Sequence, residues 1–84
     1  MKTFEERQNG FIEELTKIGS TVTVAKEYAR GLFYEIYIAG LIDGKYFRVE
    51  FHNNTVTIVR NTDCKEKINE LLIKHGLNDT ERQN

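Results

Sequence analysis

The side chains best suited to acid–base chemistry lie between residues 35 and 52, where carboxylates, a tyrosine, an arginine and a histidine alternate with apolar residues. Glu35 and His52 are expected to be cross-strand neighbours, a placement in which a carboxylate orients an imidazole for proton transfer. Arg48, Glu50 and Tyr37 are expected beside them. The same residue types form ordinary charge ladders on exposed sheet faces, and we identify no segment that could close over them and exclude water. The sequence therefore predicts no catalytic residue and a protein that is not an enzyme.

The single cysteine and the two histidines add no independent chemistry. Cys64 falls in the first turn of a predicted helix, where the pKa of a thiol is lowered. Its spacing to Ile68 places it on the core-facing stripe of that helix, however, which favours a small buried hydrophobe. His75 is expected to interact with the negative end of the same helix. Because Cys64, His52 and His75 show no metal-ligand spacing, we expect no metal and no cofactor.

A predicted antiparallel hairpin positions the polar residues. Asp43 and Gly44 are typical of a two-residue type I′ turn. The expected pairs on the apolar face of the hairpin are Ile36 with Phe51, Ile38 with Val49 and Gly40 with Phe47. The expected pairs on the polar face are Glu35 with His52, Tyr37 with Glu50 and Ala39 with Arg48. A slip of one residue would exchange the two faces, so the burial pattern selects this register.

Two further strands extend the hairpin into a four-stranded meander. A two-residue turn at Asn53 and Asn54 predicts a strand over residues 55–59. The expected pairs of that strand are Phe51 with Val56, Val49 with Ile58, His52 with Thr55, Glu50 with Thr57 and Arg48 with Val59. A three-residue loop at residues 29–31 predicts two further apolar pairs, Val24 with Ile36 and Val22 with Ile38. A two-residue loop would turn both valines to the polar face, so the burial pattern favours the longer loop.

Amphipathic helices bracket the sheet. Thr3 and Glu6 fit a capping box at the start of the first helix, and Gly19 fits a left-handed C-cap at its end. Asp63 and Glu66 fit a second capping box. The second helix is expected to end at Gly76 in a Schellman motif, in which Leu77 folds back on Leu72.

The predicted fold is therefore α+β, with the order α-β-β-β-β-α. It is a two-layer sandwich in which a four-stranded antiparallel meander carries the N- and C-terminal helices on one face. A single domain is expected over residues 1–77, followed by a disordered polar tail at 78–84. The predicted core comprises Phe11, Ile12, Leu15, Ile18, Val22, Val24, Ile36, Ile38, Phe47, Val49, Phe51, Val56, Ile58, Ile68, Leu71 and Leu72.

The charge and composition of the chain limit the cellular compartment and the class of partner that we expect. The 84 residues include 12 Lys and Arg against 13 Asp and Glu, and neither sign forms a long run. A protein that binds duplex nucleic acid needs several cations on one face to displace counterions from phosphates. One cysteine allows no intramolecular disulfide, the first residues lack the apolar run of a signal peptide, and no stretch approaches a membrane span. We expect a cytoplasmic protein that does not associate with membranes.

Nucleic-acid binding is the alternative function. Arg60, Lys65 and Lys67 gather around the start of the second helix, and the order of helix, antiparallel sheet and helix resembles the double-stranded RNA-binding domain. That resemblance implies phosphate contacts near the second helix. This chain departs from the family in having an additional strand, in lacking a run of basic residues there, and in placing Asp63 and Glu66 within the patch.

With catalysis excluded and nucleic-acid binding as the alternative, we expect a protein that binds another protein. The sequence offers two surfaces for that contact. The first is the polar sheet face, with the candidate contact residues Tyr37, Tyr46, Arg48, Glu50, His52, Thr55, Thr57 and Val59. Tyrosine and arginine anchor many interfaces, although a plain solvated face would have a similar composition. The second surface comprises the outer strand edges at residues 21–25 and 55–59, which are uncharged and free of proline. Pairing of the edge at 55–60 with its own copy would give a homodimer with a continuous eight-stranded sheet.

In size and layout the chain resembles small inhibitor proteins encoded by phages or plasmids, anti-CRISPR proteins among them. The resemblance implies a target protein, and the near-neutral charge favours direct blockade of that target over mimicry of DNA. The sequence thus predicts a small protein-binding module, an inhibitor of the phage or mobile-element type, whose partner is another protein.

Overall fold

The computed structural model describes residues 2–29, 33–52, 56–60 and 62–77 of the chain. The elements are α1 (Phe4–Ile18), β1 (Ser20–Ala29), β2 (Phe33–Ile42), β3 (Lys45–His52), β4 (Val56–Val59) and α2 (Lys65–Lys74). The strands form one antiparallel sheet in the order β1-β2-β3-β4. This architecture confirms the predicted α+β fold. The turn at Asn53 and Asn54, Thr55 and the tail at 78–84 lie outside the described residues.

The central hairpin has the predicted register at every pair, from Glu35 opposite His52 to Gly40 opposite Phe47. Asp43 and Gly44 both have positive φ, 52° and 78°, as a type I′ turn requires. The turn chemistry and the alternation of apolar and polar residues therefore specify the same pairing. The hairpin fixes the positions of the polar side chains on β2 and β3.

Both helices cover the apolar face of the sheet. Phe11 and Leu15 of α1 are fully buried, as is Ile68 of α2, in one cluster with the apolar residues of β2 and β3. The rings of Phe11 and Phe51 meet edge to face with their centroids 5.9 Å apart. Full burial of side chains of this size stabilises the fold by about 1.5–3 kcal/mol each. Among the described residues, no helix combines the length and apolar character needed to cross a membrane.

Helix α1 begins as predicted and ends differently. Thr3 Oγ1 accepts from Glu6 N at 3.1 Å, and Glu6 Oε1 accepts from Thr3 N at 2.8 Å, which completes the capping box. Gly19 has φ −94°, so the predicted left-handed C-cap is wrong. A Cβ at Gly19 would lie 2.8 Å from Val22 Cγ2 and 2.9 Å from Leu41 O. The residue therefore permits a close approach of α1 to the sheet.

Helix α2 does not begin as predicted, but it ends as predicted. Its N-cap is Cys64, with no side-chain capping bond, so the capping box of Asp63 and Glu66 is wrong. Asp63 N instead donates to Tyr46 O at 2.8 Å, because this segment still runs alongside β3. The Schellman motif is confirmed, because Gly76 has φ 73° and Leu77 N donates to Leu72 O at 2.7 Å.

Strand β1 is displaced by two residues from the predicted register. Val24 lies opposite Ile38 and Lys26 opposite Ile36, and Ala29, predicted in the loop, pairs with Phe33. A shift of two residues keeps every side chain on its predicted face. No residue pattern predicts the irregularity between Ser20 and Thr23, where Thr21 has φ 51°. Val24 is 40% exposed and Ile18 is 42% exposed, so the predicted core positions of these two residues are wrong.

Strand β4 is displaced by one residue, which exchanges its faces. Val49 lies opposite Val59, Phe51 opposite Thr57 and Glu50 opposite Ile58, so the predicted pairing with β3 is wrong. Thr57 and Val59 therefore lie on the helix side, whereas Val56 and Ile58 lie on the other face. The strand sequence is apolar or threonine throughout, so alternation cannot distinguish the two registers. Backbone pairing beyond the strand favours the observed register, since Arg60 N donates to Arg48 O at 3.1 Å.

Candidate functional site

The sheet surface opposite the two helices, here called the free face, carries most of the candidate residues. Its members are Thr23, Ala25 and Glu27 on β1, Glu35, Tyr37, Ala39 and Leu41 on β2, Tyr46, Arg48, Glu50 and His52 on β3, and Val56 and Ile58 on β4. Alternation along each strand places these residues on one side. The free face is therefore a direct product of the sheet register.

Glu50 lies at the centre of the free face and is buried, with 5% of its surface exposed. Its Oε2 accepts from Arg48 Nε at 2.9 Å and lies 3.4 Å from Arg60 Nε. Its Oε1 lies 3.0 Å from His52 Nε2. A carboxylate withdrawn from water needs compensating charge and hydrogen bonds, and these three side chains supply both. Glu50 therefore holds the surface together, although the sequence placed it among exposed contact residues.

The expected contact of Glu35 with His52 is present, since Glu35 Oε2 lies 3.0 Å from His52 Nδ1. The Tyr37 hydroxyl donates to the other Glu35 oxygen. This bond lowers the pKa of Glu35, with a further contribution from His52. The same bond raises the pKa of Tyr37 to about 12, and burial and the charges of Glu27 and Glu50 add to the effect. Tyr37 is therefore a hydrogen-bond donor well above neutral pH.

The histidine is occupied at both ring nitrogens. Nδ1 of His52 faces Glu35 and Nε2 faces Glu50, each at 3.0 Å. A histidine that acts as a general base must direct one nitrogen at its substrate. The Tyr37 ring also meets the imidazole edge to face at 6.2 Å, and Arg48 lies 5.6 Å from the centre of the Tyr37 ring. The five side chains Glu35, Tyr37, Arg48, Glu50 and His52, here called the polar cluster, are joined by these contacts.

A shallow groove adjoins the polar cluster on the free face. It has a volume of about 350 Å³ and is lined by Thr21, Thr23, Ala39, Gly40, Leu41 and Tyr46. Tyr46 is 38% exposed, which presents an aromatic ring at the rim. Tyrosine is enriched at protein interfaces, which makes this rim a candidate contact surface.

The two edge strands of the sheet, β1 and β4, differ in length and in exposure. β1 has ten residues, and those at 23–27 are all exposed. β4 has four, of which Thr57, Ile58 and Val59 are buried. In the part of the chain that the structure describes, β2 is the only strand paired with β1. The long accessible edge is therefore that of β1 rather than the edge at 55–60 that the sequence favoured.

Two contacts establish which N–H and C=O groups of β1 face the outer edge of the sheet. Arg48 O accepts from Arg60 N, so the N–H and C=O groups of Arg48 point towards β4. They therefore point away from Ala39, the cross-strand neighbour of Arg48 on β2. Thr23 Oγ1 donates to Ala39 O at 3.4 Å, which shows that the Ala39 carbonyl is directed at β1. Because antiparallel strands alternate between inward and outward groups, Val24 and Lys26 direct their N–H and C=O groups to the outer edge.

The predicted contact residues are dispersed. Tyr37, Tyr46, Arg48 and His52 lie on the free face, and Thr55 lies outside the described residues. Thr57 and Val59 are 2% and 4% exposed on the helix side, so their expected place on the polar face is wrong. Of the nucleic-acid candidates, Arg60 is engaged with Glu50, whereas Lys65 and Lys67 are exposed in the first turn of α2.

Cys64 is partly buried, with its Sγ 3.8 Å from Tyr46 O. Burial raises the pKa of the Cys64 thiol, which opposes the activation that a helix N-terminus provides. Within residues 2–29, 33–52, 56–60 and 62–77, no three His, Cys, Asp or Glu side chains are grouped to hold a metal ion.

Sequence reasoning missed two features of the free face. Glu27 lies directly opposite Glu35, a like-charge pair that the shifted β1 register creates. Ile58 lies opposite Glu50 and is buried outside the main core. No sequence signal marked either pair, since both depend on registers that alternation alone did not determine.

Comparison with known proteins adds no family to this picture. The chain matches no protein-family model, no curated protein and no solved structure at a significant level.

Proposed function

We propose that this chain is a small non-catalytic protein-binding module that pairs the outer edge of β1 with an extended segment of another protein. The observation that carries the proposal is the edge itself, with its ten residues and its exposed stretch at 23–27. Proteins usually shorten or cover such edges, because outward N–H and C=O groups recruit further strands. Strand addition provides affinity through the backbone and specificity through alternate side chains.

The charges beside the edge indicate what the partner strand carries. Glu27 and Glu35 are cross-strand neighbours of like charge, an arrangement that destabilises a sheet. A basic side chain in the incoming strand, on the free face and next to Glu27, would relieve this repulsion. We therefore propose a partner segment with lysine or arginine at that position.

The same charges favour a different protein over a second copy as the partner. β1 presents Thr23, Ala25 and Glu27 on the free face, and none of these is basic. A second β1 would therefore offer Glu27 no complementary charge. The edge of β4, proposed from the sequence for a homodimer, has four residues and offers less backbone.

The rest of the free face would support specificity. The polar cluster is braced by its own hydrogen bonds, so it would present Tyr37 and Arg48 with little entropic loss on binding. Tyr46 and the adjoining groove would accept a side chain of the partner. On this proposal the module acts by covering a surface of its partner, as an inhibitor of the phage or mobile-element type would.

The decisive variant is Lys26→Pro. Proline removes the outward N–H of Lys26, and edge strands tolerate proline where the N–H faces solvent. Lys26→Gln is the matched control, because it removes the same charge and keeps the N–H. Each variant is used to capture partners from a lysate of the native host, and the captured protein is then purified and mixed with the wild-type chain for hydrogen exchange.

We expect Lys26→Gln to retain the partner and Lys26→Pro to lose it, with new protection at the amides of Val24 and Lys26 in the complex. Equal capture by both variants, or no new protection in β1, would contradict the proposal. Anisotropy titrations with duplex and single-stranded probes test the alternative. Salt-dependent binding that neutralisation of Lys65 and Lys67 abolishes would identify the chain as a nucleic-acid-binding protein instead.

A further inference from the structure

A second group of charged residues lies where the start of α1 meets the end of α2, away from the free face. A groove of about 230 Å³ at this junction is lined by Lys2, Arg7, Lys74, His75 and Gly76. Three of these side chains are permanent cations at neutral pH, and the fourth is a histidine. The sequence did not single out this group, because its members come from opposite ends of the chain.

Arg7 is the central residue of this groove. Its Nε is buried and has no hydrogen-bond partner. Among the described residues, its guanidinium forms no ion pair with a carboxylate. Packing holds the side chain in place instead, since the guanidinium carbon lies 5.5 Å from the centre of the Phe4 ring. Because packing encloses Nε, the terminal nitrogens of the guanidinium, which are not enclosed, are the donors that an anion in the groove would meet.

Two glycines make room for this arrangement. A Cβ at Gly76 would lie 2.9 Å from Arg7 Cδ, so the arginine stem rests directly on the backbone at the end of α2. A Cβ at Gly10 would lie 3.1 Å from His75 Nδ1. Glycine inside a helix destabilises it by roughly 1 kcal/mol relative to alanine, so Gly10 is tolerated in α1 for the space that it leaves to His75.

The carboxylates near the groove are already engaged. Glu14 Oε1 lies 2.7 Å from His75 Nε2, and its Oε2 accepts from Lys74 Nζ at 3.0 Å. These two bonds lower the pKa of Glu14, so it stays ionised. Glu6 is occupied by the capping box with Thr3. Glu14 therefore contacts both Lys74 and His75, and within the part of the chain that the structure describes no carboxylate pairs with Lys2 or Arg7.

We propose that this groove binds a small oxyanion, a phosphate or carboxylate group, through Arg7 with help from Lys2 and Lys74. Arginine offers a planar fork of donors that matches two oxygens of such a group, and lysine adds a mobile point charge. The site is independent of the β1 edge, so either proposal can fail without the other.

The test is a titration of the isotopically labelled full chain with inorganic phosphate, followed by two-dimensional NMR at constant ionic strength. A parallel titration uses acetate, which separates a phosphate site from a carboxylate site. We expect saturable shifts confined to amides around Arg7 and Gly76. Arg7→Gln should weaken binding by about tenfold or more, which is the scale of one lost charge-assisted hydrogen bond. Lys17→Gln is the matched control, because it removes one positive charge from the last turn of the same helix.

Shifts that do not saturate, or equal affinity in wild-type and Arg7→Gln chains, would overturn the proposal. The same holds if Lys17→Gln weakens binding as much as Arg7→Gln does. Should Arg7→Gln lose the dispersed spectrum of a folded protein, Lys2→Gln decides the question, since Lys2 is exposed. Its expected loss is about threefold, and unchanged affinity in this variant would count against the site.

Discussion

Glu50 lies directly opposite Ile58, so a buried carboxylate has an aliphatic side chain as its cross-strand neighbour. Ile58 covers one side of Glu50, and the polar partners of Glu50 approach from its own strand and from Arg60. The carboxylate is thereby removed from water on a sheet face that has no helix above it. The free face is therefore built around one internal ion group rather than spread out as separate surface charges.

The first prediction concerns Glu50. Glu50→Gln leaves Arg48, Arg60 and His52 without their shared carboxylate and should reduce the free energy of unfolding by about 1–3 kcal/mol. Urea denaturation measures this loss. Glu27→Gln is the control, because it removes the same charge from an exposed site and relieves repulsion with Glu35. It should leave stability unchanged or raise it by about 0.5 kcal/mol, and equal losses in both variants would contradict the central role of Glu50.

The second prediction concerns Tyr37. Its pKa is raised to about 12, so one tyrosine should ionise well after the ordinary value of 10.0 in an ultraviolet absorption titration. The folded-state pKa lies above the unfolded one, so this contribution to stability is complete below pH 10 and is lost as the pH rises towards 12. Glu35→Gln removes the main cause and should return Tyr37 to the ordinary range. An unchanged titration in that variant would assign the shift to another group.

The third prediction concerns Cys64. Partial burial and a raised pKa should make its thiol react slowly with an aromatic disulfide reagent in the native protein. The reaction should be fast in denaturant, where the thiol is exposed. Rapid labelling of the native chain would revive a redox role for this residue.

The fourth prediction concerns the core. Phe51 is fully buried against Phe11, so Phe51→Ala should reduce stability by about 3–5 kcal/mol, enough to endanger a domain of this size. Ile73→Ala is a suitable control, because Ile73 lies on α2 and is 68% exposed. Thermal unfolding of the two variants should separate them clearly, and a similar transition temperature for both would place Phe51 outside the main core.

The sequence predicted the centre of the fold better than its edges. At the central hairpin, the turn at Asp43 and Gly44 and the alternation of faces restrict the pairing independently, and together they leave one register. At β4, every residue suits either face, so alternation does not determine the register. The observed register is accompanied by the hydrogen bond from Arg60 N to Arg48 O, just after the strand. At β1, the pairing with β2 begins at Ala29 and Phe33, although Ala29 was predicted in the loop, and this displaces the pairs of Val24 and Lys26 by two residues.

The candidate site was predictable to the same extent. The contact of Glu35 with His52 followed from the hairpin register and is confirmed. The burial of Glu50 was not predictable, because it requires Ile58 and Arg60 to arrive from the misassigned strand. The groove around Arg7 depends on the packing of α1 against α2, a tertiary arrangement that no local pattern encodes.

The unequal edges of the sheet have a consequence for self-assembly. A head-to-tail filament needs two complementary surfaces on each subunit, which for strand pairing are the two edges of the sheet. Here one edge has ten residues and the other has four, and the bulge between Ser20 and Thr23 interrupts regular pairing at one end of the longer edge. If β1 pairs with another protein as proposed, β4 is left as the other edge of the sheet, and its four residues offer little backbone for a further strand.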